Sequence, residues 1–480
     1  MALHISSRRG LASTTSWHQR GQALLYGLFF LIGGLAALFF LFNTGQLASE
    51  KSKLVNTSDA VAYSAGAMHA RLLNFDAYTN RAMIANTVAV AQLVSLSSWV
   101  QYIDKLAQFG ETTLNPKFMA FAPSYQAALV GGPTAKELLV DNHALGDLAR
   151  GSDLIIRNVL MNAQRVAFEG IGTARKQAMD EVAQANYHND GIVTVEPIVA
   201  EDLTSFVDRY AGDQRTRLAE VVQTSANRDA FVPKRNWILP GIWSDCPSAT
   251  AMGRVDWLER RGGTDLIGFD EWKAMDTLSE KRWVPKSKSD ALCQGLVEIP
   301  DGWGSQSAAD QPSFDVDAAR YGGSVAVNPG SSALALVTSS GSWDYSGLPS
   351  FYDLSGDALK QDDPRFRFAV RLLRNKDQTT TSEGRSALSP GGRLNAYQAE
   401  FAGGNVLVAV SASEVFFQRP DREESCAGGI RMGRDNCYGR VVVGKAHELA
   451  SLFNPYWQVH LIQSDDAVKK AQEQQGAILP

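Results

Sequence analysis

The 480-residue chain is 45% hydrophobic and 20% charged, with a formal net charge of −5. Its 41 glycines, 17 prolines and 4 cysteines exclude collagen-like, wholly disordered and disulfide-dense classes. The slightly acidic balance argues against nucleic acid as a partner, because a dedicated binder carries a basic excess. The length suggests two or three folded units at roughly 150 residues each. The mean hydropathy of −0.16 is that of an ordinary soluble protein, but the average hides an uneven distribution.

Residues 23–42 read ALLYGLFFLIGGLAALFFLF and carry no charge. A helix rises 1.5 Å per residue, so this stretch covers a hydrocarbon core of about 30 Å. Arg8, Arg9 and Arg20 precede it without any acidic residue, so the remaining chain holds a net −8. Cationic flanks resist translocation, which places residues 1–20 in the cytoplasm and the bulk of the chain outside it. The apolar run exceeds the ~7–15 residues of a secretory signal, which favours a retained single-pass anchor at residues 21–45. Gly33, Gly34 and Ala37 put small residues on one side of the span, where another helix could pack.

No proline occurs between the span and Pro116, so the chain can continue as a helix. Ile84, Val88, Ala91, Val94, Ser98, Tyr102 and Leu106 recur every three or four residues and form a mostly apolar stripe. The segment 56–70 is small and polar, with Gly66 as a soft spot. A second helical region spans residues 136–186, where Ile156, Leu160, Ala163, Ala167 and Ile171 share a face and Gly151 and Gly170 are candidate interruptions. A polar third covers 200–226. The expectation is a helical region over 46–228, packed as a small bundle near the membrane.

Beyond Phe231 the texture changes to short alternating runs separated by glycine and proline. Residues 365–374 (RFRFAVRLLR) place Phe366, Phe368, Val370 and Leu372 on one face of a strand. Further strands are expected at 324–327, 333–338, 405–411, 415–418 and 440–443. The Gly/Ser-rich stretch 301–312 reads as a loop, 447–453 as a short helix and 464–475 as an exposed helix. The fold class is therefore α+β: one transmembrane helix, a long helical arm, a strand-rich domain over 229–464 and a polar tail over 465–480.

Cys246, Cys293, Cys426 and Cys437 all lie in the part expected to be exported, where oxidation favours disulfides. Four cysteines allow three connectivities, of which Cys246–Cys293 with Cys426–Cys437 closes the shortest loops. His447-Glu448 begins like a zinc-protease motif, but Ser451 stands where the second histidine would be. His188-Asn189-Asp190 reads as an exposed loop, and the acidic pairs Asp362-Asp363 and Glu423-Glu424 as solvated neighbours. Asp353-Leu-Ser-Gly-Asp357 approaches the Asp-x-Ser-x-Ser cation motif of von Willebrand A-type domains, with Asp357 in place of the final serine. These motifs assign no catalytic residue, metal or cofactor, and the expectation is a non-enzymatic protein. A tethered hydrolase whose site gathers distant residues is the alternative, and a cation-dependent adhesin on the Asp353 loop a further one.

Arg20-Gly21-Gln22-Ala23-Leu24, the apolar span and the segment NTGQLASEKSKLVNTSDAVAYSAGA at 43–67 together resemble the amino-terminal region of TadE/TadG-like Flp pilus-assembly proteins. The resemblance covers residues 19–67. It implies a pilin-like or assembly-associated component in the bacterial inner membrane, with a periplasmic body and other pilus or envelope-assembly proteins as partners. It also places Gly21 and Gln22 at the junction where prepilins of this kind are cut. Cleaved members carry Glu at the fifth mature position, whereas Tyr26 stands there in this chain, so the expectation is an uncleaved anchor.

Overall fold

The computed structural model describes residues 20–110, 115–188, 190–199, 203–287, 292–314, 317–339, 341–375, 378–379, 406–418, 449–463 and 465–474. Helix α1 runs unbroken from Arg20 to Phe109, 90 residues, and is followed by α2 (Ala122–Lys136), α3 (Ala144–Leu154) and α4 (Met161–Tyr187). Then come β1 (Thr194–Val199), α5 (Leu203–Phe206), β2 (Val207–Tyr210), α6 (Thr216–Ala226), β3 (Trp237–Pro240), α7 (Pro247–Ala251) and β4 (Trp257–Ile267). The chain continues through β5 (Glu271–Val284), β6 (Gly295–Ala308), α8 (Ser324–Val327), α9 (Pro329–Val337), β7 (Ser342–Trp343) and β8 (Phe351–Leu354). It closes with β9 (Phe366–Asn375), β10 (Val406–Phe417), β11 (Trp457–Ile462) and α10 (Asp465–Gln474). The class is α+β.

Two larger sheets share α1 as their common support. The order β1-β9-β10-β11 forms one, β3-β4-β5-β6-β7 the other, and β2 pairs with β8 beside them. The first sheet is antiparallel throughout, with Val370 opposite Ser411 and Val415 opposite Val459. Its apolar face, including Phe366, Phe368, Val370 and Leu372, is buried with Leu54, Val61 and Ala65 of α1. Farther along the same helix, Val90, Ala91 and Val94 belong to a second core with Trp272, Ala274 and Phe351. Tyr102 and Leu106 join Phe118, Phe121 and Tyr125 in a third. The stripe expected on the arm is thus a buried seam, and the sheets rather than a helical bundle alone cover it.

Several local expectations are overturned by tertiary packing. Residues 301–308 lie inside β6, not in a loop. Their glycines are needed because α1 lies directly on the strand: a Cβ on Gly302 would meet the Tyr102 ring, and one on Gly304 would collide with the Ser98 carbonyl. Residues 324–327 and 333–338 fall in the helices α8 and α9 or at the end of α9. Pro329 opens α9, and the Glu298 carboxylate accepts from the amides of Gly330 and Ser331 at 2.9 and 3.0 Å, which stabilises a helix start over a strand. The strands expected at 405–411 and 415–418 are one continuous β10.

Residues 449–453 form turns instead of a helix, while α10 is helical as expected; 440–443 lies outside the described residues. The stretch 200–226 holds β2 as well as α5 and α6. Gly151 and Gly170 do not break their helices; the break falls at His143, whose φ of 61° is left-handed. Wide helical turns at Glu137–Asp141 and Ile155–Leu160 adjust the path between α2 and α4.

Candidate functional site

The site follows from how one helix changes surroundings. From Ala23 to Phe42 every side chain of α1 is exposed, and this is the one described helix long and apolar enough to cross a membrane. Gly21 and Gln22 lie in the first turns of that helix, so the expected processing junction is helical backbone. A Cβ added to Gly33 or Gly34 would meet nothing within 4 Å, and Ala37 is exposed. The small-residue face is therefore open to a partner or to lipid.

Burial starts abruptly at Asn43 and Leu47. A collar of charged contacts then ties the helix to the first sheet and to the end of α4. The Lys51 ammonium donates to the Val408 carbonyl, and burial lowers its pKa to about 8. Arg374, wholly buried, reaches Glu50 at 2.7 Å and lies 4.3 Å from the Tyr187 ring centre. Lys53 bonds Asp190 at 3.2 Å and makes a second cation contact to the Tyr187 ring at 4.2 Å. The Ser411 hydroxyl donates to Asp59 at 2.6 Å.

Gly66 marks the tightest approach in this region. A Cβ there would stand 2.5 Å from Val459 Cγ2 and 2.7 Å from Ser413 Oγ. The small residues of 58–67 are what let β10 and β11 lie against the helix, so Gly66 is a packing point and not a soft spot. Farther along, polar side chains of α1 meet strand and loop backbone. Asn74 donates to and accepts from Trp457, at 2.9 and 3.0 Å. Asn80 donates to the carbonyls of Tyr352 and Leu452 at 2.8 and 2.6 Å.

The chemistry-bearing groups that the fold assembles lie mostly where no sequence motif pointed. Lys117 Nζ donates to Asp245, Asp256 and Glu280 at 2.7, 3.0 and 2.5 Å. The carboxylates of that trio lie within 4.8 Å of one another, the arrangement of residues that could hold a cation. Here the ammonium already satisfies it. Burial alone would lower the Lys117 pKa, but the three hydrogen bonds outweigh it and hold the ammonium charged. The acids stand 128 to 163 positions from Lys117 in the chain, so no spacing could reveal them. Beside them Cys246 and Cys293 form a disulfide across 47 residues. Cys426 and Cys437 lie outside the described residues, as does His447.

The Asp353 motif begins on a buried strand, β8, where a loop was expected. Its carboxylate is occupied: Oδ2 accepts from Arg217 at 2.7 Å, and Oδ1 from the Leu354 and Leu452 amides at 2.9 Å each. Asp357 is exposed and pairs with Lys360 at 2.8 Å. His188 closes α4 with a left-handed φ of 42°. Two groups on α1 are perturbed by burial. The Asp76 carboxyl is raised to about 8. His69 is lowered to about 3, by burial first and the neighbouring Arg175 charge second. His69 packs edge-on to Phe366 with ring centres 4.7 Å apart.

Residues 21–69 match the family model for Tad, the TadE/G-like Flp pilus-assembly proteins. The matched segment begins at the span and ends at His69, so it holds the exposed apolar length, the charged collar and Gly66. Among curated proteins and solved structures, nothing matches the chain.

Proposed function

We propose that this chain is a membrane-anchored, pilin-like component of Flp pilus assembly that works by packing and not by catalysis. The match over residues 21–69 supports the role in pilus assembly. The observation that carries the mechanism is the continuity of α1, which leaves the apolar span without a hinge before the body begins at Asn43. A displacement or rotation of the span is passed directly to both sheets, because the collar and Gly66 lock the helix to the first and Gly302 and Gly304 seat it on the second.

In this reading residues 1–20 stay in the cytoplasm, α1 crosses the inner membrane uncleaved, and the sheets stand in the periplasm. The positive flank supports that orientation, and the Cys246–Cys293 disulfide fits an oxidising compartment. The open face at Gly33, Gly34 and Ala37 offers the contact to other pilus helices.

Deletion of the gene tests the proposal. Loss of piliation and surface adherence, restored by the full chain, is the expected result. Normal piliation in the deletion strain would reject it. Mass spectrometry of the mature amino terminus tests the anchor separately, since a chain beginning at Gln22 would show that Gly21 is cut.

A further inference from the structure

A groove of about 700 Å³ opens between the distal end of α1, helix α2 and the strands β3 and β4. Its walls are aromatic and aliphatic, with Trp99, Tyr102, Phe121, Trp237 and Leu239, and its one charged lining residue is Arg260. The groove exists because α2 presents only small residues to this side, Ser124, Ala127, Ala128, Gly131, Gly132 and Ala135. Larger residues there would close it.

Arg260 gives the groove a chemical preference. Its Nη2 donates to Asp276 at 2.9 Å, and its guanidinium lies 4.6 Å from the centre of the Tyr102 ring. Its Nε is buried and has no hydrogen-bond partner. Asp276 has nothing more to offer, because Arg235 binds both of its oxygens at 2.8 Å and Ser98 donates to Oδ2 at the same distance. Two arginines therefore face one carboxylate. The other acid near Tyr102, Asp301, is buried, and burial raises its carboxyl well above the usual carboxylate range. A guanidinium that lines an apolar groove and shares its one carboxylate with a second arginine is a favourable partner for an anion.

We propose that this groove is a binding site for a small apolar carboxylate, whose body fills the space between α2 and β3 and whose carboxylate pairs with the Arg260 guanidinium. The dimensions suit such a ligand, since small-molecule sites are mostly apolar clefts of roughly 300–1,000 Å³ with a few convergent polar groups. Nothing in this site depends on the pilus reading, and it lies on the body at the end of α1 far from the span.

The test is calorimetric titration of the full chain in lipid nanodiscs with naphthoate and with neutral naphthylmethanol, against empty nanodiscs. Saturable naphthoate binding at least about tenfold tighter than the alcohol is expected, the factor a charge-assisted hydrogen bond supplies over a neutral one. A Cβ at Gly131 meets nothing within 4 Å, so Gly131→Leu should fill the groove and abolish binding without lowering the unfolding temperature. Arg260→Met should erase the preference for the carboxylate. Absence of saturable binding, equal affinity for both probes, or wild-type affinity in Gly131→Leu would overturn the proposal.

Discussion

The two lengths of α1 follow opposite rules of burial. Residues 23–42 are apolar on every side and exposed throughout. The arm beyond them buries Thr57, Ser58, His69, Asp76, Asn80, Thr87, Ser95, Ser97, Ser98, Gln101 and Asp104. A soluble helix would bury the first set and expose the second. The inversion fits a candidate membrane span in the first length and strand contacts in the second. Lipid offers no hydrogen bonds, so a span must be apolar all round. Strands laid against a helix offer carbonyls, amides and polar side chains, so the arm can bury polar groups that find them. Ser95 meets Thr264 at 2.6 Å, Ser97 meets Gln306 at 3.0 Å, and Ser98 meets Asp276 at 2.8 Å. A continuous helix is thus divided by its partners.

The strongest way to break the arm's side of that contrast is at Asp276. Asp276→Ala leaves Arg235 and Arg260 buried without their counter-charge and takes the acceptor from Ser98. The expected loss is about 3–5 kcal/mol in equilibrium unfolding. The span answers to a different assay. Leu31→Arg should cost about 3–4 kcal/mol of insertion free energy, read as loss from the membrane fraction, while the thermal unfolding of the body stays unchanged.

A smaller change sharpens where the arm first meets its sheet. Gly66→Val drives methyl groups into Val459 and Ser413 and should cost about 1–3 kcal/mol, measured by thermal unfolding. The same substitution at Gly34, which has no neighbour within 4 Å, should leave the body's stability unaltered.

The smallest effect is one of pH. Asp76 is raised from 3.8 to about 8, so between those values the folded chain holds one proton more than the unfolded chain and stability falls as pH rises. His69 is lowered from 6.5 to about 3, so there the unfolded chain holds the extra proton and stability rises with pH. The two slopes oppose each other up to pH 6.5, and Asp76 acts alone from 6.5 to 8. At 1.36 kcal/mol per unit, Asp76 should remove about 1–2 kcal/mol over that upper interval. Asp76→Asn should abolish this loss in denaturation curves across pH and uncover the rising His69 slope below 6.5.

Much of this architecture is legible in the chain itself. Twenty uncharged residues after three arginines mark a candidate span, the absence of proline permits the helix beyond it, and alternation at 365–374 defines β9. These signals are local, because length, charge and periodicity act through the backbone of one element. The signals that misled were also local. Gly302 and Gly304 look like loop residues until α1 is placed on top of them, and Gly66 looks weak until β11 lies beside it.

The candidate sites were less legible than the elements. The Lys117 trio, the Arg235–Asp276–Arg260 network and the groove below α2 each gather residues from distant parts of the chain, and none leaves a spacing to read. The position of the candidate membrane span follows from the residues of 23–42 alone, because transfer of an apolar helix into lipid needs no other part of the protein. Which glycines are contacts, which carboxylates are spent on arginine or lysine, and which arginines share one carboxylate are settled by packing. Those outcomes depend on distances between elements far apart in the chain, and such distances exist only once the chain has folded.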